Sequence, residues 1–334
     1  MMENERTPLL EVRDLVVRYP LRGLGKREVH AVDRVSFAIR EGETLGLVGE
    51  SGCGKTTVAR QIVALERPTS GQVLFDGTDI ASLRERELRT MRPQIQMVFQ
   101  DNDTSLNPRR RVREILGAPI RYHGMIDRRD GAALEKRLGE LMDMVELPRE
   151  ALDRYPHEFS GGQRQRIGIA KALSLSPRLL VCDEPVSALD VSIQAQILQL
   201  LRALQRELGL AMLFIGHSLP TVRYISDRVA VMYMGQLVEL APSDALFDRP
   251  LHPYTRALCN AIPLADPAAR DFTAQVLRGE VGSNVTPPTG CRFHARCPHA
   301  CEECADASVD VSLHAAEEEH WVACPFAHER GDGL

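Results

Sequence analysis

Three short segments place side chains suited to phosphate chemistry in one order along the chain. Gly49-Glu50-Ser51-Gly52-Cys53-Gly54-Lys55-Thr56 fits the pattern G-x-x-x-x-G-K-[ST]. Its glycines let the backbone curl tightly, so that successive N–H groups point inward at phosphate oxygens. A helix that follows directly adds its positive N-terminal end. Lys55 then supplies a point charge between the outer phosphates, and the Thr56 hydroxyl can hold Mg2+. Leu179-Leu180-Val181-Cys182-Asp183-Glu184 reads as a buried strand closed by two carboxylates. Both emerge at the strand's carboxyl end, where open α/β sheets bind ligands. Asp183 suits Mg2+ coordination through water, and Glu184 suits a general base that polarises an attacking water. Such an acidic pair is often only a helix N-cap; beside a phosphate loop the chemical role is favoured. Phe159-Ser160-Gly161-Gly162-Gln163 opens a segment with helical spacing at Ile167, Ala170 and Leu173. Its N–H groups would make a second anion site at a helix N-terminus.

These groups need a scaffold, and hydrophobic periodicity supplies one. Leu9 to Tyr19 alternates apolar and polar residues, and Val35 to Ile39 repeats the signal after a glycine- and charge-rich loop at 22–28. Thr44 to Val48 is an apolar run leading into the phosphate loop, and Thr57 to Leu65 has helical character. From about Arg109 to Leu152 helical patterning dominates, with Leu134, Leu138, Leu141, Met142 and Val145 on one face. Val191 to Leu208 carries an apolar stripe at Ile193, Ile197, Leu198, Leu201, Leu204 and Leu208. Met212 to Ile215 and Val229 to Met232 read as further strands. Strands alternating with helices argue for a parallel sheet covered on both faces.

Composition narrows the class. The 334 residues suit one large domain or two smaller ones, with 44% hydrophobic residues to build a core. The net charge of −5 gives no global reason to expect a nucleic-acid partner. The basic run Arg109-Arg110-Arg111-Val112-Arg113 reads as a solvated face or a local docking patch. No apolar stretch approaches bilayer-spanning length, and Met1 to Pro8 lacks the layout of a signal peptide. A soluble, cytoplasmic chain with at most peripheral membrane contact is expected. Of its 8 cysteines, Cys53, Cys182 and Cys259 are scattered, whereas Cys291, Cys297, Cys301, Cys304 and Cys324 crowd the end. In a cytosolic protein such crowding points to metal more readily than to disulfides.

Taken together, the three motifs in this order and spacing resemble the nucleotide-binding subunit of ABC transporters, over essentially the whole chain. The resemblance implies an α/β fold: a P-loop NTPase of the ABC type, with a RecA-like parallel sheet core, an antiparallel β subdomain and an inserted helical subdomain at about 105–165. It implies ATP and Mg2+ as cofactors. The nucleotide contacts carried over are Tyr19, Gly49, Glu50, Ser51, Gly52, Cys53, Gly54, Lys55, Thr56, Thr57, Gln100, Asp183 and, across a dimer, Ser160, Gly161, Gly162 and Gln163. Tyr19 would stack on adenine. Thr56, Gln100 and Asp183 would serve Mg2+, and Gln100 would also sense the membrane partner. Glu184 and His217 would be catalytic, His217 as the switch histidine that contacts the γ-phosphate. Gly216 and Ser218, flanking it, depart from the commoner Ser and Asp, and Phe159 stands where Leu is usual. Ser187-Ala188-Leu189-Asp190 matches the loop that couples two sites across the dimer.

Beyond a core at 8–247, the segments His252 to Leu258, inside a linker at 248–288, and Pro287 to Pro298, which runs from that linker onward, resemble the C-terminal extension of the dipeptide, oligopeptide and nickel permease ATPases. That extension, at 289–328, implies a 4Fe-4S cluster on Cys291, Cys297, Cys304 and Cys324, with Cys301 outside the pattern. Zinc and unliganded thiols stand as alternatives. The resemblance further implies import of peptides powered by ATP hydrolysis at the cytoplasmic face of the cell inner membrane. Implied partners are a homologous ATPase subunit in a heterodimer, two transmembrane permease subunits, and a periplasmic or extracellular solute-binding protein. Nickel or another small solute is the alternative cargo. A soluble ATPase of the same type acting on nucleic acid or ribosomes is a further alternative; the absence of a long coiled-coil insertion or a second cassette speaks against it.

Overall fold

A computed structural model describes residues 7–21, 27–100, 106–261 and 282–327. The expected loop at 22–28 falls largely outside them. Two sheets share the work. In the first, β1 (Leu10–Pro20), β2 (Glu28–Ile39), β4 (Ser70–Phe75) and β5 (Thr78–Asp79) run antiparallel in the order β2-β1-β4-β5. One face buries Leu10, Val12, Val35, Phe37 and Val73, the alternation a half-buried sheet demands. Strand β2 is longer than its sequence signal, because pairing with β1 recruits the mixed polar and apolar stretch from Glu28 to Arg34.

The second sheet holds the chemistry. Its order is β11-β12-β10-β9-β3-β8-β7-β6, from β3 (Thr44–Val48), β6 (Ile95–Val98), β7 (Leu179–Asp183), β8 (Ala211–Ile215), β9 (Arg228–Tyr233), β10 (Gln236–Pro242), β11 (His314–Glu317) and β12 (His320–Val322). The pairs β6–β7, β7–β8, β8–β3 and β3–β9 are parallel. Every residue of β3, β7 and β8 is buried, which is why these strands read as continuous apolar runs. Their parallel alignment brings the ends of β3, β7 and β8 to one edge of the sheet.

Helices cover this sheet. They are α1 (Lys55–Ile62), α2 (Glu85–Met91), α3 (Val112–His123), α4 (Gly131–Met144), α5 (Gly161–Leu173), α6 (Val191–Leu208), α7 (Leu219–Ile225), α8 (Ser243–Asp248) and α9 (Pro253–Asn260). Helices α3 and α4 form the expected helical insertion and pack through Leu116, Ile120, Leu138, Leu141 and Met142. Asp130 caps α4 by accepting from the Ala133 N–H at 2.8 Å. Helix α6 occupies the residues its apolar stripe marks, between the cap Asp190 and Gly209 in a left-handed conformation. Among the described residues no helix is long and apolar enough to cross a membrane.

The C-terminal segment does not stand apart. Strand β12 pairs antiparallel with β10 at Glu239–Val322 and Leu240–Trp321, so the end of the chain widens the main sheet. Behind this pair lies a buried knot: the fully buried Glu239 accepts from the Leu251 N–H at 2.8 Å and the His252 N–H at 2.9 Å, and meets His320 Nε2 at 2.7 Å. A buried carboxylate persists when its oxygens are satisfied in this way.

Candidate nucleotide site

The loop between β3 and α1 curls as its glycines predict. Gly49, Gly52 and Gly54 have φ of 153°, 79° and 109°. Two of them also owe their identity to close approach. A Cβ at Gly49 would lie 2.1 Å from the Met232 carbonyl oxygen, and one at Gly54 would lie 2.3 Å from that of Ala31. Lys55 is buried; its Nζ donates to the carbonyls of Gly49 at 2.8 Å and Glu50 at 3.1 Å. The ammonium is thereby aimed over the loop's hollow. Cys53 is buried beside it, and burial pushes its thiol pKa up.

The acidic pair closes the other side. Thr56 Oγ1 lies 3.3 Å from Asp183 Oδ1, joining the start of α1 to the end of β7. Burial, followed by the neighbouring Glu184 charge, pushes the Asp183 carboxyl above its usual range, against a lowering contribution from Thr56 and Lys55. A hydroxyl and a carboxylate oxygen side by side in a desolvated setting are the hard donors Mg2+ prefers. The residues present therefore fit the metal. Glu184 sits at φ 45°, a left-handed conformation rare for glutamate, in which its carboxylate meets two partners. Gln100 Nε2 donates to Glu184 Oε2 at 3.1 Å, and His217 Nδ1 lies 3.4 Å from the same oxygen. Residues separated by more than eighty positions thus converge on one carboxylate. A cavity of about 430 Å3 joins Lys55, Thr56, Thr57, Gln100, Glu184 and His217.

Two predicted contacts lie elsewhere. Tyr19, the last residue but one of β1, donates its hydroxyl to Glu66 and lies beside Thr57, which lines the cavity. Ser160 and Gln163 form a reciprocal cap at the start of α5: Ser160 Oγ accepts from the Gln163 N–H at 3.3 Å, and Gln163 Oε1 accepts from the Ser160 N–H at 3.0 Å. Neither they nor Gly161 and Gly162 line the cavity around the phosphate loop. One chain therefore carries two separate anion-ready helix termini.

The residues 32–187 match the ABC transporter family, and 238–304 match the oligopeptide/dipeptide transporter C-terminal region. The chain is 50% identical over 320 residues to a putative peptide import ATP-binding protein of Brucella ovis, covering 95% of this chain and 98% of that protein. It is 50% identical to the oligopeptide transport ATP-binding protein OppF of Salmonella typhimurium, covering 90% and 92% of the two chains. This chain is an ATP-binding subunit of the oligopeptide ABC transporter family. The fold agrees: the dimeric bacterial ABC transporter cassette MJ0796 superposes with a TM-score of 0.63 at 28% identity, over 70% of this chain and 98% of that one. A post-hydrolysis form of that cassette bound to ADP and Pi gives the same TM-score of 0.63. As an ABC ATPase, the chain uses ATP with Mg2+.

The iron–sulfur expectation is corrected. Among the described residues no group of three or more His, Cys, Asp or Glu side chains could hold a metal ion. Nor do the relatives' names point to iron. The physical reason lies in how Cys291, Cys297, Cys304 and Cys324 are spent. Cys291 and Cys297 pack against the apolar core, while Cys324 joins Leu251, Val322 and Ala327 in a small apolar cluster. Cys304 turns its Sγ to within 3.3 Å of Cys301, the cysteine left outside the expected set. Burial, with Cys324, Cys304 and Cys297 close by, pushes the Cys291 thiol up to about 11.

The sequence reading missed three residues that reach the phosphate loop from the far end of the chain. Tyr254 accepts from the Glu50 N–H at 3.0 Å, Asn284 Nδ2 donates to the Gly52 carbonyl at 3.2 Å, and Arg296 forks onto the Glu50 carboxylate at 2.7 and 3.0 Å. Their sequence distance of more than two hundred residues leaves no local signal.

Proposed function

We propose that this chain hydrolyses MgATP to drive peptide import, as a peripheral ATPase subunit at the cytoplasmic face of the cell inner membrane. The convergence of Gln100 and His217 on Glu184, opposite Lys55, carries the catalytic half of the reading. Lys55 and the loop N–H groups hold the β- and γ-phosphates. Thr56 and Asp183 hold Mg2+, which neutralises charge on the phosphate oxygens when bound. Glu184 accepts the proton of the attacking water, with its carboxylate held by Gln100, and His217, beside the same oxygen, positions that water. Ser160, Gly161, Gly162 and Gln163 serve the nucleotide of a partner ATPase, because they lie apart from this chain's own loop. Tyr19 flanks the adenine.

The transport half rests on the relatives, which are peptide import proteins, and on one groove. Leu65, Phe99, Ile115, Pro119, Tyr122 and Leu175 line a largely apolar hollow of about 560 Å3 between the sheet and α3 and α5. Phe99 and Tyr122 are 41% and 60% exposed there. Phe99 directly precedes Gln100, so a cytoplasmic helix of a permease subunit seated in the hollow would act on the residue that touches Glu184. Two permease subunits, a homologous ATPase and an extracytoplasmic solute-binding protein complete the machine. The test is co-purification with the permease subunits, reconstitution in vesicles, and peptide uptake. Uptake that requires MgATP and disappears with Lys55→Ala supports the reading; nucleotide-independent uptake, or stimulation only by nucleic acid, overturns it.

A further inference from the structure

The residue after the first glycine of the phosphate loop, Glu50, is held by all of its polar groups. Its N–H donates to the Tyr254 hydroxyl at 3.0 Å, its carbonyl accepts from Lys55 Nζ at 3.1 Å, and its carboxylate receives both Nη atoms of Arg296. The Arg296 side chain is only 7% exposed, against 27% for Glu50. A forked guanidinium–carboxylate pair in such a setting constrains direction as well as distance.

The C-terminal segment is built to present this arginine. The Cys291 N–H donates to the Cys304 carbonyl at 2.9 Å, which folds 291–304 into a closed turn. Phe293, 1% exposed, anchors that turn against Tyr233 and Tyr254, with ring centroids 5.3 and 5.4 Å away. Three residues later Arg296 passes 5.9 Å from the Tyr233 ring centroid to reach Glu50. A second strut runs in parallel: the Asn284 carbonyl accepts from the His30 N–H at 2.9 Å while its side chain holds the Gly52 carbonyl at 3.2 Å. Neither strut is a strand pairing of the main sheet. Both end on the phosphate loop.

We propose that Arg296 is a positioning residue for the nucleotide: through Glu50 it holds the phosphate loop, and with it Lys55, in the shape that receives the β- and γ-phosphates. The proposal rests on the assignment of the loop to ATP. It makes the C-terminal segment part of the nucleotide site rather than an appendage.

The test uses the full-length chain, with MgATP affinity by calorimetry and steady-state hydrolysis. Arg296→Ala raises Kd and KM for MgATP about tenfold, the loss expected of one desolvated charge-assisted pair, while kcat falls by less. Arg296→Lys restores part of the affinity, since it keeps the charge and loses the fork. Glu50→Gln, nearly isosteric, reproduces the affinity loss, and the double variant loses little more than either single one. Unchanged Kd and KM in a folded Arg296→Ala, even with a lower Tm, overturns the proposal by leaving Arg296 a purely structural role. Fully additive losses in the double variant also overturn it. Lys55→Ala separates the two levels: normal MgATP binding there would remove the loop's assignment to ATP, whereas lost binding there with unaltered Arg296→Ala removes only the present inference.

Discussion

At the scale of single residues, the chemistry turns on one oxygen. Glu184 Oε2 is met by Gln100 at 3.1 Å and His217 at 3.4 Å, from the ends of β6 and β8. Replacing Glu184 by Gln keeps the shape and removes the basic oxygen. Turnover is expected to fall about 10²–10⁴-fold, with MgATP affinity retained; near-normal steady-state turnover would remove Glu184 from that role. A second residue sets the response to acid. His252 is fully buried, and burial drives its pKa down from the ordinary 6.5 to about 4. Its Nδ1 accepts from the Tyr254 N–H at 3.1 Å, a role only the unprotonated nitrogen can fill. The folded pKa is the lower one, so between pH 6.5 and about 4 the unfolded chain binds a proton that the folded chain refuses. Stability is therefore lost as pH falls through that window, by up to on the order of 3 kcal/mol. Urea unfolding at pH 7 and pH 5 measures it, and His252→Asn, which keeps a capping acceptor, should flatten the difference. An equally steep loss in that variant would assign the effect to other groups.

At the scale of elements, α5 shows how one tetrapeptide satisfies two demands. Ser160 and Gln163 cap the helix reciprocally. Gly162 lets α5 approach α6: a Cβ there would lie 2.5 Å from Ile193 Cγ2. Ile193 is β-branched and stiff at χ1, so it gives way poorly. Gly162→Ala should cost about 1–3 kcal/mol by overpacking, read as a lower Tm, and should also spoil nucleotide-dependent pairing; a variant as stable as the parent would show that Ile193 repacks freely. The glycine pattern was legible as a motif. The packing partner was not, because Ile193 stands thirty-one residues away on a helix whose own periodicity says nothing about which neighbour it meets.

At the scale of the whole molecule, the phosphate loop and the Ser160–Gln163 terminus occupy different places on one chain. In the proposed function two chains facing each other bring one of each to every nucleotide; the cassette to which this fold is similar is itself described as dimeric. The expected outcome is a pairing that needs ATP. With Glu184→Gln, which binds without hydrolysing, MgATP should shift the elution of this chain, alone or with its sister ATPase, to that of a dimer, and Ser160→Arg should prevent the shift by filling the anion site. A dimer that forms equally without nucleotide would count against the sandwich.

The sequence by itself determined what depends on neighbours along the chain. A curled glycine loop, a buried strand ending in Asp183-Glu184 and an amphipathic helix from Val191 to Leu208 are encoded by short-range spacing, and all three stand where they were read. The family and the parallel core followed from their order. Tertiary structure alone decided the rest. The Cys-rich end widens the main sheet through β12, and Arg296 reaches a loop 246 residues away. Counting cysteines suggested a metal, yet among the described residues no group of three or more His, Cys, Asp or Glu side chains could hold one. Phe293 docks on Tyr233 and Tyr254, and that packing, which no local spacing encodes, carries Arg296 to the loop.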